Sequence, residues 1–472
     1  MYQKLTPKIL DELKQICGAR YVIFDDHDKI EPYSHDEVAD KHYAHMPEVV
    51  VKPRTAQEIA AIMKLANREN IPVTPRGAGS GLSGGAVPLH GGILLSTERM
   101  NEILEVDKEN LVVVVEPGVI TNEVNNRLKD LGLWFAGYPM SVESCFVGGN
   151  VAEDAGGGKA VKYGVTGRYI LGLEVVTPEG EIIMLGGKMV KNVVGYDLVK
   201  LMVGSEGTLG IFTKIIIKLL PLPTQKVDLL VFFPDVDTAI KMVPVIMTSG
   251  RIIPTAVEFV DRLSFQTAYK YLNEHLPHEE AGAMLLIEID GNSLEQLEKE
   301  YETIGQLCID NGAIDVFVAD NYTTQERVWS IRRNIAEAFK VYSPVQSLED
   351  IVVPLASIPQ LLPEIEKIAT KYDVLIPCYG HAGDGNLHAT AVKKPEMSME
   401  DWEVALPKIL TELYDWTVKF GGTISGEHGI GHKRKAYLYQ ALEPATIELM
   451  KRIKKAFDPN NILNPGKIFD LD

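Results

Sequence analysis

Two short glycine-flanked loops gather residues able to do metal or acid–base chemistry. The first runs Tyr379-Gly380-His381-Ala382-Gly383-Asp384-Gly385-Asn386-Leu387-His388, the second Ser425-Gly426-Glu427-His428-Gly429-Ile430-Gly431-His432. Gly383 and Gly385 disfavour a helix between the first two histidines, so the spacing predicts a turn that folds His381 back toward His388, followed by a strand over 387–392. Two imidazoles and a carboxylate make a donor set for iron(II), zinc or manganese that leaves coordination positions open. A neutral imidazole can also take a proton near neutral pH. Histidines cap turns and satisfy buried polar groups as well, so the histidines of these loops need not all be ligands.

A third cluster, Pro75-Arg76-Gly77-Ala78-Gly79-Ser80-Gly81-Leu82-Ser83-Gly84-Gly85, has the character of a phosphate loop. Its glycines let backbone N–H groups approach a pyrophosphate, and Arg76 adds a charge. A G-x-G-x-x-G match lies inside it at Gly79, Gly81 and Gly84, with Glu98 near the place of a ribose-binding acid. That fingerprint must follow a clean strand and open a helix. Here Pro72 and Pro75 bracket the strand and Ala86–Gly92 makes a poor helix, so a Rossmann-type NAD site is not expected. Two further glycine-rich stretches, Pro139–Gly158 and Gly204–Gly210, call for the same explanation. From Asn150 to Gly210 the composition predicts mostly loop, wrapped closely around a ligand.

The elements that must hold these loops form an α+β chain. Before residue 220, strands are expected at 48–52, 71–74, 92–96, 111–116, 170–177 and 181–185. A helix opens at Thr55 with the capping-box pattern Thr55-x-x-Glu58, its apolar face being Ile59, Ile62, Met63 and Ala66. The composition shifts at Pro221–Pro223. Two strand–helix–strand units follow, 227–233, 236–247 and 256–260, then 284–289, 294–311 and 315–318, which suggests a ferredoxin-like domain. Helices are expected near 324–341, 358–371, 399–420 and 444–457.

The chain of 472 residues carries 47 Lys and Arg against 65 Asp and Glu, a net charge of −18. Such a field repels nucleic acid and anionic membranes. It also repels a carboxylate substrate, so a site for one needs local positive charge. No apolar run reaches the roughly 18 residues of a membrane span. Four separated cysteines, Cys17, Cys145, Cys308 and Cys378, form no C-x-x-C pair, which argues against an iron–sulfur cluster or disulfide framework and fits the cytoplasm.

Taken in order, P-R-G-A-G-S-G-L-S-G-G, V-G-G-N-V-A-E-D-A-G-G-G, G-S-E-G-T-L-G-I, G-H-x-G-D-G-N-L-H, G-E-H-G-I-G and the C-terminal Asn461-Ile462-Leu463-Asn464-Pro465-Gly466-Lys467 resemble the glycolate oxidase and D-lactate dehydrogenase branch of the vanillyl-alcohol-oxidase-type, or PCMH-type, flavoproteins. The resemblance spans essentially the whole chain. It implies a two-part FAD-binding domain over 1–220, a ferredoxin-like substrate or cap domain with the metal loops over 221–425, and a C-terminal segment, 426–472, returning to the flavin.

The same resemblance implies extended FAD, with its pyrophosphate on Arg76, Gly77, Ala78, Gly79, Ser80 and Gly81. Gly148, Gly149, Gly156, Gly157 and Gly158 would lie along the cofactor with Pro139 close by. Glu206, Gly210 and Ile211 would sit near the adenosine and Asn464 near the flavin. Relatives with covalent flavin carry a histidine where this chain has Ser80, so FAD is expected to be non-covalent. His381, His388 and Glu427 would bind a divalent metal, His428 would be the general base, Asn386 would face the substrate, and Arg332 would hold its carboxylate, which a guanidinium can do bidentately. Arg332 and Arg333 are expected in the first turns of a helix, Arg333 on its solvated side; His432 has no assigned role.

These expectations describe the oxidation of a small D-2-hydroxy acid to the 2-oxo acid. Relatives that act on larger dicarboxylates carry a lysine where this chain reads Gln346-Ser347-Leu348-Glu349, so D-lactate is favoured and glycolate next. With no haem motif or cysteine cluster, electrons must leave to a partner, as in similar chains that work beside an electron-transferring flavoprotein or an iron–sulfur subunit. The alternatives are an oxidase using oxygen directly and a non-catalytic flavin-binding subunit.

Overall fold

The computed structural model describes residues 2–38, 41–274 and 277–471. The chain divides into two compact units, Met1–Gly156 with Val165–Leu222 and Glu427–Asp472, and Gly157–Gly164 with Pro223–Gly426.

In the first unit a four-stranded sheet runs in the order Val22–Ile23, Val49–Val51, Ile93–Ser96, Val73–Arg76. The last three strands are parallel and almost wholly buried, as continuous valine and leucine runs require. The Ala56–Glu69 helix makes the first crossover. Thr55 caps it by accepting from the Glu58 N–H at 3.2 Å, while the Glu58 carboxylate reaches back to the N–H of Arg54 rather than Thr55. Ile59, Ile62, Met63 and Ala66 form its buried face, against the N-terminal helix Pro7–Cys17 and the sheet. Val73–Arg76 extends two residues past the expected strand. Pro75 is tolerated because this is an edge strand, where a missing N–H breaks no ladder.

A second sheet of this unit is antiparallel, in the order Ile103–Asp107, Val112–Val115, Ile211–Lys218, Ile170–Val176, Ile182–Gly186. Ile103–Asp107 was not expected as a strand: it is short, Glu105 and Asp107 interrupt its apolar residues, and none of its side chains is buried. Residues 147–153, which run into the stretch from Asn150 expected to be mostly loop, form a helix. Gly148 is required there because a Cβ would press into Pro117. The C-terminal Ile462 and Leu463 are buried in the core, and the tail pairs with the phosphate-loop strand: Val73 N–H donates to Ile462 and Asn464 N–H to Val73, both at 2.7 Å.

The second unit is built on a seven-stranded, wholly antiparallel sheet: Asp315–Ala319, Gln225–Phe233, Ala283–Gly291, Ala256–Asp261, Cys378–His381, Asn386–Val392, Gln346–Val352. Its first four strands stand in the chain order fourth, first, third, second, joined by the helices Val236–Thr248 and Leu294–Asp310, the ferredoxin-like arrangement. An unexpected helix, Arg262–Leu272, follows the Ala256–Asp261 strand. Asp261 caps it, and it buries Phe265, Ala268 and Tyr269 in a cluster with Phe232, Met284 and Phe339. The helix expected over 324–341 is two helices, Tyr322–Arg333 and Ile335–Tyr342. Asn334 breaks it, its side chain donating back to the Ser330 carbonyl at 2.7 Å. All four cysteines are buried and free, and among the described residues no helix is long and apolar enough to cross a membrane.

Candidate active site

In the second unit the strand register gathers the polar side chains onto one sheet face. Asp228 lies opposite Glu288, Glu258 opposite His381, and Tyr379 and Asp350 each opposite His388. Directly opposed residues share a face, as do residues two apart on a strand. Glu288 pairs with Ala256, two residues before Glu258, so both halves of the row lie on the same side. Asp228, Glu288, Glu258, His381, His388 and Asp350 therefore form one polar row across six adjacent strands, every member buried.

At the centre of the row, Glu258 Oε1 is 2.5 Å from His381 Nδ1 and Glu258 Oε2 accepts from Arg332 Nε at 2.7 Å. Burial alone would raise the Glu258 carboxyl. The charges and hydrogen bonds of His381 and Arg332 outweigh it and hold the group well below the usual carboxylate range. Arg332 lies in the last turn of its helix, not the first, because Asn334 ends the helix there. The guanidinium lies over the Tyr379 ring at 4.8 Å, and its Nη2 is buried without a hydrogen-bond partner among the described residues. Arg333 faces solvent in an ion pair with Glu326. The His381 ring meets His388 edge-on, centroids 5.4 Å apart.

Asp350 organises the other end of the row. Its Oδ1 accepts the Asn386 side-chain amide at 2.7 Å. Its Oδ2 accepts from the Ser425 hydroxyl at 2.9 Å and the Gly426 N–H at 2.8 Å. Asn386 Nδ2 also reaches the Ile351 carbonyl, which leaves Oδ1 buried and unpartnered among the described residues. Gly426 can carry no side chain, since a Cβ would stand 2.5 Å from Asn386 Nδ2. Asp350 thereby fixes the residue immediately before Glu427 and His428 in the chain. Gly385, at φ +83°, makes the turn between the His381 and His388 strands.

In the first unit the phosphate loop is tied down from behind. Arg76 donates to the carbonyls of His35 at 2.7 Å and Pro32 at 3.1 Å, and Asp36 accepts the Gly84 N–H at 2.7 Å. Gly79, at φ +78°, lets the loop close over the Arg76 guanidinium, where a Cβ would collide. A cavity of about 440 Å³ is lined by Tyr33, Lys52, Arg76, Gly77, Ala78 and Phe146, among others. Ser80 and Gly81 continue the loop, whose Gly81 carbonyl accepts the Glu37 N–H. The two glycine runs meet where Gly77 faces Gly149, and the space a Gly149 side chain would fill is open, a cradle a flat cofactor can use. Pro139 is half-buried in the loop before this helix.

Glu206 spends its carboxylate on protein rather than leaving it exposed to a ligand. It accepts the Ile430 N–H at 2.8 Å and the Gly431 N–H at 2.6 Å, bracing the loop that begins at Glu427. Glu427 Oε1 stands 3.7 Å from His428 Nε2, and Gly156 lies against the Glu427 side chain. Ile211 is a core side chain and Gly210 packs on Val175, so only their backbone is available to a cofactor. Asn464 donates to the carbonyls of Gly85 and Glu206, and its Oδ1 is buried without a partner among the described residues. Gly157 and Gly158 belong to the second unit, where a Cβ on Gly158 would stand 2.5 Å from Glu258 Oε1. Burial lowers His432 to about 4, with nearby lysines adding to the effect.

Glu258 and Asp350 do not stand out in the sequence. Glu258 is an acid inside an apolar strand segment, Ala256-Val257-Glu258-Phe259-Val260, a mismatch that could have found it, whereas Asp350 follows Glu349 in a polar stretch and carries no such signal.

A PCMH-type flavin fold with this polar face defines an FAD-linked oxidoreductase. The family model "FAD linked oxidases, C-terminal domain" matches residues 222–468, and "FAD binding domain" matches 47–186. The chain belongs to the FAD-linked oxidase family. It is 40% identical to the glycolate oxidase subunit GlcD of Bacillus subtilis over 469 residues, 99% of this chain and 98% of that one. It is 39% identical to the D-lactate dehydrogenase of Anaerostipes hadrus, again over 99% and 98% of the two chains. The fold matches that of p-cresol methylhydroxylase with substrate bound at a TM-score of 0.80 and 19% identity, covering 100% of this chain and 99% of that one.

Proposed function

We propose that this enzyme oxidises a small D-2-hydroxy acid, D-lactate in first place and glycolate next, to the 2-oxo acid. The observation that carries this reading is Arg332, a buried cation with one edge on Glu258 and Nη2 unpartnered, on the sheet face that also bears His381 and His388. In a chain of net charge −18, a buried guanidinium of this kind suits a substrate carboxylate.

FAD, when bound, supplies the acceptor for the two electrons leaving C2. A divalent cation held by His381, His388 and Glu427 would acidify the C2 hydroxyl and offset the substrate's charge. The donor types suit such a cation, nitrogen and carboxylate oxygen, and His381 is backed by a carboxylate, as metal-binding histidines commonly are. Arg332 donates from Nη2 to the substrate carboxylate. Asn386, its amide held by Asp350, turns its oxygen toward the substrate, and His428 takes the hydroxyl proton on a ring nitrogen.

The size preference has local support. On the Gln346–Val352 strand, Leu348 shares the face of Asp350, and Glu349, on the other face, is occupied by the Ser347 and Tyr414 hydroxyls. No lysine of that strand is available for a second substrate carboxylate. The four buried free thiols agree with a reducing cytoplasm, and electrons pass to a protein acceptor such as an electron-transferring flavoprotein or an iron–sulfur subunit.

Anaerobic mixing of the flavoprotein with D-lactate, glycolate and D-2-hydroxyglutarate tests the reading. D-lactate is expected to bleach the oxidised-flavin band fastest. No bleaching by any 2-hydroxy acid sinks it in favour of a flavin-binding subunit, and stoichiometric peroxide under air selects an oxidase.

A further inference from the structure

Glu258 is a carboxylate within an apolar strand segment, wholly buried between Val257 and Phe259, and the proposed reaction gives it no direct part. A carboxylate in such a place persists only when its oxygens are well matched. Both are: Oε1 faces His381 Nδ1 at 2.5 Å and Oε2 faces Arg332 Nε at 2.7 Å.

Each contact has a chemical consequence. An ionised carboxylate only accepts, so the His381 hydrogen lies on Nδ1 and the imidazole lone pair on Nε2. That is the tautomer a coordinating histidine needs, and the carboxylate raises its basicity. On Arg332, the Nε bond to Glu258 together with the Tyr379 ring holds the plane of the guanidinium, and Nη2 is left without a hydrogen-bond partner among the described residues. Gly158 closes over the pair, bringing backbone where a side chain would clash with Oε1 and approach His381 Nδ1 to 3.4 Å.

We propose that Glu258 is a positioning residue that couples metal binding at His381 to carboxylate binding at Arg332, a role that rests on the metal-assisted hydroxy-acid reading. One carboxylate sets both the tautomer of the ligand and the direction of the fork. Its loss therefore moves two observables together, the grip on the metal and the KM for the acid. Proton transfer is assigned to His428, so kcat at saturating metal and substrate is expected to change less than metal retention or KM.

The test compares wild type, Glu258→Gln and Glu258→Asp as folded, FAD-loaded protein. Metal transfer to a chromogenic chelator is followed without substrate, and steady-state kinetics are measured with D-lactate at saturating metal. Glu258→Gln is expected to weaken metal retention about 10- to 100-fold and to raise KM about 10-fold with a smaller change in kcat. Glu258→Asp keeps the charge on a shorter arm and falls between; it carries the same readouts if the Gln variant does not fold. Metal retention and KM at wild-type values in the folded variants, with only the melting temperature lowered, overturn the proposal. Should wild type hold no metal, the metal-assisted reading itself fails and takes the His381 half with it. KM in Glu258→Gln then decides the Arg332 half, an unchanged value overturning that too.

Discussion

Asp350 Oδ1 accepts the side-chain amide of Asn386 at 2.7 Å, and that bond decides which end of the amide the site presents. With Nδ2 shared between Asp350 and the Ile351 carbonyl, the oxygen is the pole of the group left without a partner among the described residues. The same carboxylate anchors Ser425 and Gly426, directly before Glu427 and His428. Asp350→Asn keeps the shape but removes the charge and one acceptor. It is expected to cost about 1–3 kcal/mol of stability and to lower kcat/KM by at least about tenfold. Denaturant melts and steady-state kinetics check this; wild-type kinetics in a destabilised but folded variant would show that the Asn386 amide needs no such orientation.

Arg332→Lys tests the carboxylate fork. An ammonium cannot serve Glu258 from one edge and a substrate from another in the fixed geometry of a guanidinium. Losing a charged hydrogen bond of about 1.5–3 kcal/mol predicts a fall in kcat/KM of about 10- to 100-fold, mostly through KM. Kinetics with D-lactate decide it, and a KM equal to wild type would remove Arg332 from substrate binding.

What could be read from the sequence follows residue type. His381 and His388 stand out because histidine is uncommon and the glycines around them announce a turn. The phosphate loop stands out by its glycines, and the PCMH-type fold follows from the order of those motifs. The polar row did not stand out, because it exists only across strands. Asp228, Glu288 and Glu258 are acids scattered through apolar strands, and register alone lines them up in the row in which Glu258 faces His381. The helix break at Asn334 was hidden for a related reason. Asparagine is tolerated within helices, and the side-chain bond to Ser330 that ends this one appears only in three dimensions.

The proposed function separates metal and proton chemistry at His388 and His428. His388 lies on the sheet face, its ring 5.6 Å from that of Tyr379, whereas His428 follows Glu427 on the loop braced by Glu206. His388→Ala is expected to lose bound metal and turnover together. His428→Asn should keep FAD and metal while kcat falls about 10²- to 10⁴-fold, the range of a general base. Elemental analysis alongside turnover distinguishes them; undiminished metal in His388→Ala would remove it from the ligand set.

The end of the row formed by Asp228 governs how stability depends on pH. Burial, reinforced by the like charge of Glu288, pushes the Asp228 carboxyl up to about 7, although the Trp329 indole donates to it at 3.0 Å. Burial also pushes Asp261 up to about 6, against hydrogen bonds from Ser264 and the Cys378 N–H. In the unfolded chain both titrate near the ordinary value of about 3.9. Between that value and about 7 the folded protein therefore holds more protons than the unfolded one, and stability falls as pH rises through the window. Asp228→Asn stays neutral throughout and still offers an oxygen to Trp329. Its melting temperature is expected to exceed wild type most at about pH 8, with the gap narrowing toward about pH 5. Thermal melts of both proteins across that range check the sign, and a gap that is constant with pH would mean that Asp228 does not carry the shift.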